Sequence, residues 1–543
     1  MVRFYSFVIT TVLLLAFAVG ELSAATPLTV KVTDSATRRI LPVRVYLQSA
    51  DGGLLHVRSA SPEGSAVEYH KQRGTGSIEI HTTVSAHPFT ADLAPGKYTL
   101  TIERGKDYLP VTKTFDIGDE PMEVSIAMRR WIDMASRGWY SGDTHVHRSV
   151  ADLPNVLTAE DLNVALPLTH WVTKGYTPPT GGNKNTDDKL PARLIKVDET
   201  HVIYPLNTEY EIFTINGKRH TLGAVFILNH KKPFKLGAPP VGPIAAEARR
   251  QGGLLELDKH SWPWSMMLVP VMNVDLFELS NNHVWRTNFH FRAFVIGTKP
   301  RDFKLADPKS GFNEREWVDF GFQSYYTLLN CGFHMRPTAG TASGVHPVPL
   351  GFGRVYVQLE DGFNYEDWMR GLDAGRSFVT TGPMLLAHFN GQAAGHHFGG
   401  KDAKESKRCR VTGTAESGFP LSRIEIVKNG DVVQTVKPQS EKSKDGGYRT
   451  AFDVTLPLDG TSWVAVRCYE QRPGGRERFA HTAPVHFDVP GKPLHPRRAA
   501  IEYLIGRMKE ELARSKKTLR PDELEEYRQA LRVYEKIAAD GVR

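Results

Sequence analysis

Two kinds of hydrophobic pattern divide the chain into regions. Residues 26–130 alternate apolar and polar positions in short runs such as "LTVKVTD" and "KYTLTIER", separated by Gly, Pro and Asp. Because successive side chains of a strand point to opposite faces, this alternation predicts an all-β sandwich. The alternation returns over residues 386–490, in "RIEIVKNGDVVQTV" and "SWVAVRCYE". That region predicts a second β-sandwich, with a hairpin turn at "KNGD".

The middle of the chain has a different pattern of apolar and polar residues. Residues 131–385 combine apolar strand-like runs, such as "TLGAVFILNH" and "GGLLELDKH", with helix-like stretches such as "PIAAEARRQ". Strand signals that alternate with helix signals indicate an α/β domain with parallel strands. About 250 residues is the usual size of a β/α barrel. We therefore expect a multidomain protein in which a barrel is flanked by two sandwiches.

The two ends of the chain predict separate elements. Residues 491–543 have helical periodicity that is broken at Pro521, which predicts a helical hairpin acting as a cap, with an oligomerising seam as the alternative. Residues 1–25 contain an early Arg3, an uncharged apolar run and small residues before Ala25. This order is typical of a secretory signal peptide, so we expect an exported protein, periplasmic or secreted. The apolar run is shorter than the roughly 20 residues that a membrane-spanning helix needs, so we expect a mature form that does not span a membrane.

Composition narrows the function classes. The chain is 41% hydrophobic and 24% charged, as in ordinary globular proteins. Its net charge of +8 is spread along the chain, which argues against a nucleic-acid partner. The three cysteines, Cys331, Cys409 and Cys468, cannot all pair with one another. A disulfide between Cys409 and Cys468 and two buried free thiols both remain open.

The stretch "GWYSGDTHVHRS" carries the first candidate chemistry. His145 and His147 are two residues apart, so in an extended chain their rings lie on one side and can chelate a cation. Three more histidines lie at the ends of predicted strands: His170, His220 and His260. A nearby strand supplies a carboxylate that could bridge two cations, either Glu209 or Glu211. Because strand ends meet at the mouth of a barrel, this set predicts a metal cluster.

The order of these motifs resembles a known family. The segments "GDTHVH", "LPLTH", "NTEYE", "GKRHTLG", "QGGLLELDKH", "VDLFELSN" and "LLNCGFHMRPTAGTASG" follow one another as in the PHP (polymerase and histidinol phosphatase) superfamily of metallohydrolases. The most similar branch is the one that includes carbaryl-type ester hydrolases. That branch also has a carboxypeptidase-regulatory-like β domain before the first motif and a segment like "SFVTTGP" at residues 377–383. The resemblance covers roughly residues 26–400.

The resemblance implies a distorted seven-stranded β/α barrel that holds one to three ions of Zn, Mn or Fe. His145 and His147 would bind the first metal, with Glu209 as the bridge. His220 and His260 would hold a second metal with the same glutamate. His170 and Asp152 would face a third.

The chain also departs from the family pattern. Thr169 stands where the family has an aspartate before the histidine, and Ala342 and Gly344 stand where it has an aspartate and a histidine. His346, two residues further on, is an alternative ligand. The first and third metals are the ones that these departures affect.

These observations predict a metal-dependent hydrolase that activates water against an ester, amide or phosphoester of a small molecule. The side chains expected to act on the substrate or to stabilise developing charge are Lys259, Arg336 and His283. The expected substrate-binding residues are Trp262, Trp264 and Asn282, although core packing is an equal alternative for the two tryptophans. The alternative function is a non-catalytic binding protein that keeps the barrel after losing ligands. The sequence indicates no particular oligomeric state.

Overall fold

The computed structural model describes residues 25–182, 184, 190–191, 193–287, 299–305, 312–399, 407–439 and 441–543. The protein is mixed α/β and consists mostly of sheets. Nearly all of the predicted signal peptide, residues 1–24, lies outside the described residues. In the described part, no helix combines the length and the apolar character that crossing a membrane requires.

The N-terminal region consists of two facing sheets. Its strands are β1 (Thr26–Asp34), β2 (Val43–Ser49), β3 (Leu54–Leu55), β4 (Arg58–Ser59), β5 (Ala66–Arg73), β6 (Ser77–Val84), β7 (Phe89–Leu93), β8 (Gly96–Glu103), β9 (Val111–Ile117) and β10 (Met122–Met128). One sheet has the order β10-β1-β7-β4 and the other β5-β6-β2-β8-β9. Alternate residues of β1, including Leu28 and Val30, are buried between them, as the sequence pattern predicts.

The described residues of the middle region form thirteen strands and five α-helices. The strands are β11 (Trp139–Val146), β12 (Val164–Pro167), β13 (His170–Lys174), β14 (Thr180–Gly181), β15 (Ile195–Lys196), β16 (Val202–Ile203), β17 (Thr208–Ile215), β18 (Lys218–Leu228), β19 (Leu254–Leu257), β20 (Leu276–Ser280), β21 (Arg336–Ala339), β22 (Arg354–Gln358) and β23 (Ser377–Thr380). The helices are α1 (Leu153–Ala159), α2 (Gly242–Gln251), α3 (Ser265–Met272), α4 (Glu314–Asn330) and α5 (Tyr365–Asp373). A seven-stranded sheet has the order β14-β13-β17-β18-β19-β20-β21.

This sheet is mixed rather than wholly parallel. Strand β18 runs antiparallel to both β17 and β19, whereas β13 and β17, β19 and β20, and β20 and β21 are parallel pairs. The reversal occurs at Asn216 and Gly217, which have φ of 49° and 73°. An Asn-Gly pair with positive φ at both positions closes a two-residue hairpin. The prediction of parallel strands is therefore wrong for β18.

Ten strands follow in the described residues of the C-terminal region. They are β24 (Met384–Phe389), β25 (Gln392–Ala393), β26 (His397–Phe398), β27 (Arg408–Ser417), β28 (Leu421–Lys428), β29 (Asp431–Val436), β30 (Tyr448–Pro457), β31 (Ser462–Gln471), β32 (Glu477–Thr482) and β33 (Val485–Phe487). The turn between β28 and β29 has Asn429 and Gly430 at positive φ, which confirms the predicted "KNGD" hairpin. Cys409 and Cys468 are free thiols buried in the core of this region.

One sheet joins the middle region to the C-terminal region. Strand β11 pairs with β22, β22 with β23, and β23 with β32, so that twelve strands belong to a single sheet. The sheet therefore contains strands from both sides of residue 385, where the sequence pattern suggests a boundary. This continuity fixes the end of β11, which carries the histidine pair, against a large hydrophobic core.

Two helices, α6 (Arg498–Ser515) and α7 (Pro521–Asp540), end the chain and pack against each other and against α3. The Glu526 carboxylate accepts hydrogen bonds from the backbone N–H groups of Val241 and Gly242 at 2.9 and 2.7 Å. These amides begin α2, where a negative charge is favourable. The hairpin thus closes the middle region on the side of α2 and α3.

Candidate metal centre

A cavity of about 170 Å³ lies where several strands of the middle region end. Strands β11 and β17 contribute residues to it, and so do the segments that follow the carboxyl ends of β11, β19, β20 and β21. The residues that line it are Arg73, His145, His147, Lys184, Glu209, Glu211, Phe213, Lys259, Trp262, Asn282, His283, Ala342, Val345 and His346. Arg73 comes from the end of β5, so the N-terminal sandwich forms part of the wall.

The histidine pair forms the centre of this cavity. The Nε2 atoms of His145 and His147 lie 3.2 Å apart. His145 Nδ1 lies 3.0 Å from Glu278 Oε2, and His147 Nε2 lies 3.5 Å from Glu209 Oε2. Burial lowers the pKa of both rings well below the usual value, so both imidazoles are neutral at neutral pH. Neutral imidazole is the form that binds metal ions.

A lysine and two glutamates form the next layer. The Lys184 ammonium lies 2.7 Å from Glu209 Oε2 and 2.8 Å from Glu211 Oε2. Burial opposes the charge of Lys184, but the two carboxylates raise its pKa above the usual value. Burial raises the pKa of Glu209, whereas Lys184 and Lys259 outweigh burial and lower the pKa of Glu211. Both glutamates therefore lie in the cavity, and Glu209 is the one beside the histidines.

More acids lie beneath the histidine pair. The Asp258 carboxylate is in contact with the Lys259 ammonium, and its Oδ2 atom lies 4.0 Å from His145 Nδ1. Glu278 also accepts a hydrogen bond of 2.8 Å from the Asn282 backbone N–H. Burial raises the pKa of Glu278 well above its usual value. Positive charge near these acids favours their ionised form.

Two buried carboxyl groups hold the strand ends in register. Asp143 accepts hydrogen bonds from the backbone N–H groups of His145, Thr341 and Gly351 at 3.1, 3.2 and 3.0 Å. Glu256 accepts hydrogen bonds from Thr144 Oγ1 at 2.9 Å and Thr338 Oγ1 at 2.6 Å. Burial raises the pKa of Asp143 to about 6 and that of Glu256 to about 7. These contacts fix the position of the loop that presents His145 and His147.

The donor set fits a divalent cation. Two groups have ligand atoms close enough to share one ion, namely His145, His147 and Glu209, and His145, Asp258 and Glu278. Three polar atoms in these groups are buried without a hydrogen-bond partner among the described residues: His147 Nδ1, Glu209 Oε1 and Asp258 Oδ1. An unpaired buried carboxylate oxygen is costly unless a cation compensates it. Buried groups of this protein could therefore hold a metal ion.

Several predicted site residues do line the cavity. His145, His147 and Glu209 lie together, as described above, and Lys259, Trp262, Asn282 and His283 form the wall beside them. The Lys259 ammonium lies 6.0 Å from the ring centres of both Phe226 and Trp262. Burial lowers the pKa of Lys259. The cation is thus held over aromatic faces at the edge of the histidine pair.

Other predicted ligands lie elsewhere. His220 is near the start of β18, where its Nε2 atom lies 3.1 Å from Ser515 Oγ of α6. His170 begins β13, and its ring centre lies 6.4 Å from that of His230. Neither histidine lines the cavity. Asp152 lies just before α1 and is also outside the lining.

His260 is close in sequence to the cavity but points into an aromatic cluster. Its ring centre lies 5.2 Å from Trp317, 5.4 Å from Phe277 and 5.6 Å from Phe320. Its Nε2 atom is buried without a partner in the part of the chain that the structure describes. Burial lowers its pKa to about 3. The side chain immediately after Lys259 therefore faces the opposite direction from the cavity.

Arg336 and Trp264 also lie outside the cavity. Arg336 begins β21, at the end opposite to the cavity, and its guanidinium contacts Asp373 and lies 3.7 Å from Asp275. Trp264 is fully buried in the main hydrophobic core. The structure thus separates the two tryptophans of "HSWPWS", since Trp262 lines the cavity and Trp264 packs in the core.

The two positions that lack the family ligands have distinct geometry. Ala342 lines the cavity with φ of 50°, and Gly344 has φ of 108°. A Cβ atom on Gly344 would lie 2.0 Å from the carbonyl oxygen of His147. A histidine at this position would therefore require the backbone to move. His346 lines the cavity nearby, and burial lowers its pKa well below the usual value.

Sequence reasoning missed Asp258, Glu278 and Lys184 as members of the site. Glu278 lies within the apolar strand "LFELS", where a buried carboxylate is unusual enough to be a signal. Asp258 follows the similar strand "LLEL". Lys184 belongs to a polar loop, and no pattern in the sequence indicates that its ammonium reaches Glu209.

Comparisons with known proteins do not extend this description. No family model matches the chain, and no match was found among curated proteins or solved structures. The geometry of the site therefore carries the functional interpretation.

Proposed function

We propose that this protein is an exported, metal-dependent hydrolase that resembles the PHP superfamily and acts on an ester, amide or phosphoester bond of a small molecule. The observation that carries the proposal is the buried group of His145, His147 and Glu209 in the wall of a cavity. Neutral imidazoles and a carboxylate whose ligand atoms lie close enough to bind one ion form a ligand set for Zn, Mn or Fe. The proposed number of ions is one to three.

The proposed fold of the middle region is a distorted β/α barrel. Contacts between the ends of β11 and β21 support it, because the two strands belong to different sheets. The Ala342 N–H donates to the His145 carbonyl at 2.6 Å, and the His147 N–H donates to the Ser343 carbonyl at 2.8 Å. These bonds join the end of β11 to the end of β21, the edge strand of the other sheet, beside the cavity. A barrel that uses strands of both sheets requires such a junction.

The residues of the chain have separate tasks in this proposal. A bound divalent cation would polarise a carbonyl or phosphoryl oxygen and make water a stronger nucleophile. Lys259, buried beside the histidines, would stabilise negative charge on the substrate. Trp262 would pack against the substrate, and Asn282 and His283 would hydrogen-bond to it. The buried Asp143 and Glu256 would keep the strand ends in place.

A second candidate function is binding without catalysis. Lys184 supports it, because its ammonium already compensates the charges of Glu209 and Glu211. The replacement of two family ligands by Ala342 and Gly344 also favours it. In this case the cavity would bind a small molecule and turn nothing over.

The test combines metal analysis with hydrolysis. Purified protein would be assayed for bound transition metal and for turnover of p-nitrophenyl esters and bis-p-nitrophenyl phosphate. We expect His147→Ala to lose both metal and turnover, and His220→Ala to keep both, because His147 lines the cavity and His220 does not. Metal without turnover of any substrate would support the binding function. Absence of transition metal from every preparation would refute the hydrolase.

A further inference from the structure

A second, larger cavity of about 280 Å³ lies at the junction of the three regions. Its walls come from the N-terminal sandwich, from the turn before β22 and from the segment between β31 and β32. Seven Lys and Arg side chains line it, against three Glu side chains. It shares no lining residue with the candidate metal centre.

Two of these cations have no carboxylate partner within ion-pair distance in the described part of the chain. The Lys106 ammonium donates to the Thr381 carbonyl at 2.9 Å. The Arg354 guanidinium donates to carbonyl oxygens, including those of Gly351 at 2.6 Å and Glu160 at 3.0 Å. Carbonyl groups satisfy the hydrogen bonds of a cation but leave its net charge uncompensated.

The remaining cations do not remove this excess. Arg472 pairs with Glu470 at 2.6 Å, and Arg476 and Arg478 share one carboxylate, that of Glu314. Arg286 pairs with Glu79, and Arg44 contacts both Glu103 and Glu160. Among the described residues, the seven cations thus have five carboxylate partners. Burial and the neighbouring arginines lower the pKa of Lys106 well below its usual value. Burial also lowers the pKa of Arg478 to about 10, although Glu314 opposes this. The fold therefore holds like charges close together, at a cost that a bound anion would offset.

Aromatic rings lie beside these charges. The Lys106 ammonium and the Arg478 guanidinium are each 5.1 Å from the ring centre of Phe352. The Arg472 guanidinium lies 3.4 Å over the ring of Phe419. Both rings and Trp131 line the cavity. The cavity therefore has cationic groups that can bind an anion and aromatic rings that can pack against an apolar part of the same ligand.

We propose that this cavity binds a small molecule that carries a phosphate or sulfate group next to a ring. Arg and Lys side chains recognise the oxygens of such groups by charge-assisted hydrogen bonds. Phe352 and Phe419 would contact the ring of the ligand. The proposal is independent of the hydrolase function, since the two cavities have no residue in common.

Isothermal titration calorimetry of the full chain tests this site. The probes are phenylphosphonate, which has a ring and a tetrahedral anion but no ester bond to hydrolyse, and inorganic sulfate, which has the anion alone. We expect saturable binding of phenylphosphonate, weaker binding of sulfate, and a loss of affinity as salt is added. Lys106→Gln and Arg472→Gln should each weaken phenylphosphonate binding by about tenfold or more, equivalent to about 1.4 kcal/mol.

Two matched variants locate the binding. Arg410→Gln removes an exposed arginine that pairs with Asp453 outside the cavity, and His147→Ala alters the other cavity. In the presence of a metal chelator, which keeps the probe from binding to an ion in the other cavity, both should bind phenylphosphonate as tightly as the unchanged chain does. Circular dichroism checks that each variant folds. If Lys106→Gln does not fold, Arg472→Gln alone tests the site, because the Arg472 side chain is 29% exposed and its replacement should be tolerated. Absence of saturable binding, or binding that His147→Ala abolishes and Arg472→Gln leaves intact, would overturn the proposal.

Discussion

His145 and Glu278 are joined by a 3.0 Å contact between the imidazole Nδ1 and the carboxylate Oε2, although 133 residues separate them in the chain. When Nδ1 of the neutral ring carries the proton and donates it to the carboxylate, the lone pair is on Nε2. Nε2 is the atom that faces His147. A carboxylate behind a histidine in this way orients the ring and raises its basicity as a ligand. Glu278 therefore decides which nitrogen of His145 faces the centre of the site.

The first prediction concerns this orienting contact. Glu278→Gln should lower the affinity for a divalent cation by about 10- to 100-fold, because the amide is a weaker partner for the imidazole N–H. Competition with a metal chelator measures this affinity. Glu366→Gln, on the exposed side of α5, is the control and should leave it unchanged. Equal affinities in the two variants would show that Glu278 does not support the metal centre.

The second prediction concerns Lys184. Lys184→Met leaves Glu209 and Glu211 buried without their ammonium partner, which should destabilise the metal-free protein by about 3–5 kcal/mol. A divalent cation can supply the missing charge, so added Zn²⁺ or Mn²⁺ should raise the melting temperature more in this variant than in the unchanged chain. Thermal unfolding with and without metal gives both values. Lys174→Met, at an exposed position of β13, should behave like the unchanged chain, and an equal metal response in all three proteins contradicts the prediction.

The third prediction separates the two tryptophans of "HSWPWS". Trp264→Ala removes a fully buried side chain from the main core and should cost about 3–5 kcal/mol of unfolding free energy. Trp262 lines the cavity, so Trp262→Ala should in addition raise KM, an effect that Trp264→Ala should lack. Urea unfolding and steady-state kinetics distinguish the two effects. The prediction is wrong if Trp264→Ala lowers the free energy of unfolding less than Trp262→Ala does.

The fourth prediction concerns Gly344. An added Cβ would lie 2.0 Å from the His147 carbonyl oxygen, and φ is 108°, where an L-residue is strained. The strain alone costs about 1–3 kcal/mol, so Gly344→Ala should lower the melting temperature and the metal content together. Gly118→Ala is the control, since nothing lies within 4 Å of its added Cβ. A Gly344→Ala protein with unchanged stability and metal content would show that the loop accommodates a side chain.

The fifth prediction concerns the pH dependence of stability. Burial raises the pKa of Asp107 from 3.8 to about 7, while Met134 N–H donates to its carboxyl group at 2.9 Å. Between about pH 4 and pH 7 the folded protein keeps this proton and the unfolded chain loses it, so the contribution of Asp107 to stability falls as pH rises through that range. Asp107→Asn should remove this part of the decline.

Urea unfolding at about pH 5 and about pH 8 measures the effect, since these values lie on either side of the raised pKa. Asp92→Asn, with a carboxylate that is 51% exposed, is the control and should keep the slope of the unchanged chain. A slope in Asp107→Asn equal to that of the control would place the pH dependence in other groups.

The sequence by itself determined the elements that depend on local spacing. The alternation in β1 follows from the two faces of a strand, and the turn at Asn429 and Gly430 follows from the ease with which these residues adopt positive φ. The proximity of His145 to His147 is equally local, because residues i and i+2 of an extended segment lie on one side. The Asn216–Gly217 turn before β18 is just as local, and it makes the prediction of parallel strands wrong at β18.

Only the tertiary structure decided which distant side chains meet that pair. His220 and His260 have the residue type that a metal centre requires, yet one contacts α6 and the other an aromatic cluster. Glu278 and Lys184 reach the site instead. Lys184 and His260 lie outside the strands, so the folding of their loops places them. For Glu278 and His220, which lie in strands, the physical reason is that neighbouring residues point to opposite faces, and pairing between remote strands selects the face that borders the cavity. Hydrophobic burial on the other face fixes that selection, and no local pattern encodes it.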